Sequence, residues 1–239
     1  MRMIILYLSI IMLSVSCGVI WGIQYNKNTI FPFRLVQSIK SYFGLKPGFT
    51  DRGIAAKAQI YASFNRKANT VMIGDSLTDI ADWSDIFPGA SVVNRGIGGD
   101  TANGILSRMD GVLSVGAKKA FIMVGINDLL KGVSPSDILE DYSKIVKILI
   151  EHGHQVYIQS TLFCNGTLLS VACTRNLNKI SVLNTGLEQL AKQHGLTYIN
   201  LNSDLSLDGQ LNELYTYDGL HLNAFGYEVW KNKIEQYIN

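Results

Sequence analysis

Beyond residue 50 the chain alternates short, continuous apolar runs with longer segments whose apolar positions recur every three or four residues. The runs are "VMIG" (71–74), "SVVN" (91–94), "AFIMV" (120–124), "QVYIQS" (155–160) and "TYINL" (197–201). Side chains alternate between the two faces of a strand, so residues that are apolar at consecutive positions suit strands buried on both faces. The intervening segments predict helices over 54–66, from Leu77 to about 86, and over 101–113, 136–151, 175–194 and 222–238. Strands separated by helices of this length pair in parallel and carry the helices on both sides of the sheet. The pattern therefore predicts one α/β domain over residues 51–239, built on a mostly parallel five-stranded sheet, with no internal repeat.

The first 50 residues follow another pattern. Residues 3–23, "MIILYLSIIMLSVSCGVIWGI", contain no charged side chain. Twenty-one helical residues at about 1.5 Å each span roughly the 30 Å of a bilayer core. A cleaved signal peptide is the competing reading, but its apolar region is usually shorter and no small-x-small cleavage site ends this run cleanly. A lipoprotein signal through Cys17 would place Ser14 where an aliphatic residue is wanted, and the apolar run continues past the cysteine. An uncleaved membrane anchor at 1–23 is expected, followed by a juxtamembrane linker at 24–50.

Charge separates the same two regions. Of 21 basic and 19 acidic residues, the first 50 positions hold five basic ones (Arg2, Lys27, Arg34, Lys40 and Lys46) and no acidic one. The remaining body is mildly acidic, which gives no support for nucleic-acid binding. The hydrophobic content of 47% is enough for a sizeable core.

In a parallel sheet the segments that follow the strands share one edge, and four of them carry candidate chemistry. Ser76 in "GDSL" follows the first strand. Ser and Asp are favoured helix caps, so Ser76 has a capping reading beside a nucleophilic one at the carboxyl edge of the sheet. "NRGIGGDT" (94–101) follows the second strand, and Gly96, Gly98 and Gly99 permit close approach of the backbone. Thr101 replaces the third glycine of a dinucleotide-binding fingerprint, and the Lys-Ser/Thr ending of a phosphate loop is missing. An oxyanion hole fits this loop better, with Asn127 of "GIND" as a side-chain donor or, alternatively, an ordinary cap.

The chain has four histidines. His152, His154 and His194 lie where helices are predicted to end, positions favourable to the helix dipole. The His152–His154 pair lacks matching acidic or cysteine partners for a metal. His221 differs, because Asp218 precedes it by three residues in a polar turn and can orient its imidazole toward a serine elsewhere. A purely structural Asp–His pair is the other reading. Cys164 and Cys173 flank "NGTLLSVA", a spacing compatible with a disulfide in an oxidising compartment or with two buried thiols. Asn165 begins "NGT", a glycosylation acceptor only in a cell that glycosylates such sites.

Together, "GDSL", "NRGIGGDT", "GIND" and "DGLH" resemble, in order, the four signature blocks of the SGNH or GDSL-type hydrolases, here over roughly residues 70–235. The second block looks most like the branch of platelet-activating-factor acetylhydrolase and bacterial acyl-esterases. The resemblance implies a flavodoxin-like αβα sandwich, an esterase without a cofactor, and an acyl-ester substrate. It also implies a catalytic triad of Ser76, His221 and Asp218, with an oxyanion hole from the N–H groups of Ser76 and Gly99 and the Asn127 side chain. Asp100, Thr101 and Asp128 are expected to brace these loops. With the anchor, the expectation is an extracytoplasmic esterase that removes a short acyl group from a cell-envelope glycan. Lysophospholipid or thioester hydrolysis and O-acyl transfer are the alternatives.

Overall fold

A computed structural model describes residues 49–64, 66–169 and 171–238. Strands β1 (Thr70–Gly74), β2 (Val92–Gly96), β3 (Lys119–Met123), β4 (Gln155–Gln159) and β5 (Thr197–Ile199) form one sheet. Their order is β2-β1-β3-β4-β5, and every neighbouring pair is parallel. This is the flavodoxin-like order, and it reverses direction between β1 and β3. Such a switch point opens a crevice at the carboxyl ends of the strands, which is where the loops after β1, β2 and β3 meet.

The strands divide their side chains by a period of two. Val71 and Ile73 of β1, Ala120 and Ile122 of β3, and Val156 and Ile158 of β4 enter one apolar cluster with Ile105, Val112, Tyr142, Ile145, Leu149, Leu183 and Leu187. Met72, Phe121, Met123 and Tyr157 enter the other, with Leu77, Trp83, Trp230 and Ile234. Phe121 stacks on Tyr157 at 4.4 Å between ring centroids, and Trp83 meets Trp230 edge-on at 5.0 Å. Burying apolar surface on both faces is what the continuous apolar runs require, and it produces three layers.

Helix boundaries show where local chemistry overrides the apolar period. The first described helix, α1 (Phe49–Ser63), begins inside the predicted linker and stops before the predicted end at 66. The segment up to residue 86 is two helices, α2 (Ser76–Ile80) and α3 (Trp83–Ile86), because Asp82 caps the second by accepting from the N–H groups of Ser84 and Asp85. The segment 101–113 likewise breaks at Arg108 into α4 (Ala102–Ser107) and α5 (Met109–Leu113). Arg108 turns inward there to pair with Asp100. A short helix α6 (Ile126–Leu130) follows β3. The long helices α7 (Pro135–Glu151) and α8 (Leu177–His194) match their predicted spans closely. In α7, Ser134 caps, Pro135 opens the first turn, and Ile138, Tyr142, Ile145 and Leu149 form the buried stripe.

A two-stranded hairpin, Ser206–Leu207 with Gln210–Leu211, and a 3-10 turn at Glu213–Tyr215 precede the final helix α9 (Ala224–Ile238). No alternation announces strands of two residues. Among the described residues, no helix is long and apolar enough to cross a membrane. The predicted anchor and nearly all of the predicted linker lie outside those residues.

Candidate active site

Ser76 is the first residue of α2, and the cap is Asp75, whose side chain accepts from the Leu77 N–H at 3.0 Å. The capping reading therefore belongs to the aspartate and leaves the serine hydroxyl uncommitted. That hydroxyl faces His221, with Oγ 3.0 Å from Nε2. On the other side of the imidazole, Nδ1 lies 2.6 Å from Asp218 Oδ2. With the ring proton on Nδ1 donated to Asp218, Nε2 is an acceptor for the serine hydroxyl. The three side chains, separated by up to 145 positions, thus stand in one hydrogen-bonded line.

The turn that carries the aspartate and histidine is tightly determined. Asp218 Oδ1 accepts from the N–H groups of His221 at 2.7 Å and Leu220 at 2.9 Å. Thr216 Oγ1 donates to the His221 carbonyl at 2.7 Å and accepts from the Gly219 N–H at 2.9 Å. Partial burial raises the Asp218 carboxyl, but the bonds from the His221 side chain and the two backbone N–H groups outweigh it and hold the group below its ordinary value. Tyr217, largely exposed, stacks on the His221 ring at 5.9 Å.

The glycine turn after β2 passes directly over α2. A Cβ on Gly96 would come within 2.4 Å of the Asp79 backbone nitrogen, so only glycine fits. Gly99 adopts a positive φ of 79°, which side chains disfavour. At Gly98 a Cβ would make only ordinary contacts, including one 3.9 Å from Ser76 Cβ, so that glycine lies beside the serine without being sterically required. Asn127 Nδ2 donates to the Asp100 carbonyl at 3.0 Å, which occupies one of its two amide hydrogens. No described residue accepts from the backbone N–H of Ser76 or Gly99. For Ser76 this follows from its place in the first turn of a helix. The N–H groups of Ser76 and Gly99 and the second Asn127 amide hydrogen thus have no acceptor among the described residues.

Burial charges the surroundings unusually. Asp75 and Asp128 are each pushed up to about 7, chiefly by removal from water. Asp128 accepts from the Ala102 N–H with both oxygens, and so joins "GIND" to the start of α4. Thr101 caps that helix by accepting from Gly104 N–H, and Asp100 pairs with Arg108 at 2.7 Å. All three residues brace the loops as expected.

At the periphery, one open reading is decided and some expectations change. Cys164 and Cys173 are joined in a disulfide, with Cα atoms 5.8 Å apart. Asn165 is buried and donates to the Leu211 carbonyl at 2.9 Å, so its amide is not presented as a glycosylation acceptor. His152 and His194 do close helices, but His154 is buried ahead of β4, and burial depresses its pKa. Two residues to which the sequence pattern assigned no role also contribute. Asn94 accepts from Gly96 N–H and donates to the carbonyls of Thr78 and Ala81, which ends α2. Lys131 donates to the Gly99 carbonyl at 2.9 Å.

Comparison with known proteins agrees with this architecture. A Streptococcus pneumoniae protein described as a platelet activating factor superposes with a TM-score of 0.73 at 24% identity, covering 86% of this chain and 99% of that one. A mutant acetyl-xylooligosaccharide esterase from Geobacillus gives a TM-score of 0.59 at 16% identity, covering 74% and 96%. Such identities speak for the fold alone. Among curated sequences, an N-acylneuraminate cytidylyltransferase of Streptococcus agalactiae is 27% identical over 176 residues, which is 74% of this chain. The match spans only 40% of that relative's length, so its named activity does not transfer with the shared segment. The family model for GDSL-like lipases and acylhydrolases matches residues 72–229, a span that opens within β1 and closes in α9 and so contains Ser76, Asn127, Asp218 and His221. By that match, the chain belongs to the GDSL-like lipase/acylhydrolase family.

Proposed function

We propose that the protein is a serine esterase that removes short acyl groups, acetyl foremost, from a cell-envelope carbohydrate. The observation that carries the reading is the line Ser76 Oγ, His221 Nε2, His221 Nδ1 and Asp218 Oδ2, at 3.0 and 2.6 Å. In the first step His221 takes the hydroxyl proton as Ser76 Oγ attacks the ester carbonyl. Negative charge then develops on the carbonyl oxygen, where the N–H groups of Ser76 and Gly99 and the Asn127 amide stabilise it. His221 returns the proton to the leaving alcohol. Water, deprotonated by His221, attacks the acyl-enzyme, the bond from the acyl carbon to Ser76 Oγ breaks, and His221 gives its proton to the departing oxygen, which releases the acid and restores Ser76. Asp218 stays ionised throughout and stabilises the imidazolium.

Support for an acetyl sugar ester comes from a neighbour in fold named for acetyl-xylooligosaccharides. Support for the envelope comes from the charge-free run at 3–23 and from the Cys164–Cys173 disulfide, which persists in oxidising compartments. On this reading the domain lies outside the cytoplasm, tethered by residues 3–23.

The test is product analysis of the full chain against acyl esters of graded length on sugar, lysophospholipid and thiol carriers, with and without acceptor sugars. Release of free acetate from a sugar, lost in Ser76→Ala together with fluorophosphonate labelling, is the expected result. Preference for lysophospholipids or thioesters, or transfer of the acyl group to an added sugar, would replace it with one of those activities. Protease added to intact cells, after any outer layer is permeabilised, should digest the domain. A protected domain would reverse the topology.

A further inference from the structure

The helix α1 lies before the segment that the family model covers, yet its residues reach the glycine turn beside Ser76. Lys57 pairs with Asp79 Oδ1. The other oxygen of the same carboxylate accepts from the Gly98 N–H at 2.9 Å. Asp79 belongs to α2, three residues after Ser76, so this carboxylate ties the serine's own helix to the turn that passes over it. One helical turn after Lys57, Tyr61 donates its hydroxyl to the Gly96 carbonyl at 3.0 Å. Its ring lies under the guanidinium of Arg95, 4.6 Å away, and Lys57 sits over the same ring at 5.8 Å. Two side chains of α1 thus hold the turn at both ends, Gly96 directly and Gly98 through Asp79.

We propose, building on the esterase reading, that Lys57 and Tyr61 are positioning residues that set the Gly96–Gly99 turn for oxyanion stabilisation. The physical need is specific. Gly98 and Gly99 have no side chains with which to anchor themselves, and an oxyanion donor acts only if it is fixed before the charge develops. Gly98 is held from α2 by one hydrogen bond to Asp79. A carboxylate with no cation beside it is drawn to water, so Lys57 keeps Asp79 facing the turn. Lys131 also restrains the turn, by donating to the Gly99 carbonyl.

Kinetics of the full chain on a short acetyl ester test the inference through Lys57→Met, Lys57→Arg and Tyr61→Phe. Lys57→Met should lower kcat on the order of tenfold, less than the roughly 10²–10³ that deleting a donor costs. KM and the melting temperature should change little, because the pair is partly exposed and worth little to stability. Lys57→Arg, which retains the cation, should restore most of the rate, and Tyr61→Phe should lower kcat in the same manner. Full kcat in Lys57→Met, or a loss that follows the melting temperature and is not rescued by arginine, would overturn the proposal. Ser76→Ala on the same ester separates the two levels. Undiminished activity in that variant defeats the esterase reading, whereas its loss alongside full activity in Lys57→Met defeats only the positioning role.

Discussion

Asp75 caps the helix that Ser76 begins: its carboxylate takes the Leu77 N–H at 3.0 Å and leaves the neighbouring hydroxyl to His221. The cap is fully buried, and that burial raises its pKa to about 7, against an ordinary 3.8. The folded state therefore binds this proton more tightly than the unfolded chain. Its contribution to stability is complete below the unfolded pKa and is lost as pH rises through about 7. Asp128, also raised to about 7, adds to the same trend. Melting temperatures followed from pH 5 to 8 should decline, and Asp75→Asn, which keeps an acceptor for Leu77, should flatten the decline. An equal decline in that variant would place the effect elsewhere.

Catalysis should weaken on the acid side for a different reason. Once His221 carries a second proton, it has no lone pair with which to accept from Ser76. Asp218, held below its ordinary value, stays ionised there and does not contribute to the limb. A pH–rate profile should keep this limb in His152→Gln, His154→Gln and His194→Gln. Asp218→Asn should reduce kcat by about 10²–10⁴ by spoiling the orientation of the base. A limb that vanishes in one of the other histidine variants would identify a different base.

Ser76, the glycine turn and Asn127 were legible because each sits immediately after a strand, and strands buried on both faces announce themselves as apolar runs; Asp218 and His221 were found by their own spacing in a polar turn. Val71–Gly74 and Ala120–Met123 are such runs, so the loops bearing Ser76 and Asn127 were located with them. Residues that act on partners far away in the sequence leave no such trace. Asn94 ends α2 across 16 positions, Lys131 reaches Gly99 across 32, and Lys57 reaches Asp79 across 22, with no periodicity linking the partners. The breaks at Ala81 and Arg108 were hidden for the same reason. Arg108 leaves the helical path to satisfy Asp100, a buried carboxylate that only the folded chain places nearby. Ser76 itself remained ambiguous until the cap was seen to be its neighbour.

On the proposed mechanism Asn127 has two tasks, which kinetics and unfolding of one variant separate. Its amide holds the Asp100 carbonyl at 3.0 Å, and its remaining hydrogen is available to the oxyanion. Asn127→Ala should cost about 10²–10³ in kcat and only about 1 kcal/mol in stability for the lost hydrogen bond. Kinetics and thermal unfolding on the same preparation distinguish these effects. A stability loss with kcat intact would return Asn127 to a bracing role.

The Cys164–Cys173 disulfide closes a loop that leans on the Asp218–His221 turn. Both sulfurs are buried. Within the loop, Asn165 N–H donates to the Gly219 carbonyl at 2.7 Å, and Gly166 N–H donates to Gln210 Oε1 at 2.8 Å. Gly219 follows Asp218 directly, and a Cβ there would strike Leu168 Cβ at 2.9 Å, so loop and turn are in close contact. Cross-linking residues nine apart should stabilise the fold by about 2–3 kcal/mol, mostly by restricting the unfolded chain. Cys164→Ser and Cys173→Ser should each lose that amount, and both should also lose kcat well below the melting transition, because Asp218 is then less firmly placed. Dithiothreitol should reproduce both effects in the parent protein and neither in the serine variants. Stability and kcat that resist a reductant shown by mass to have opened the bond would mean that the loop holds the turn through its hydrogen bonds alone.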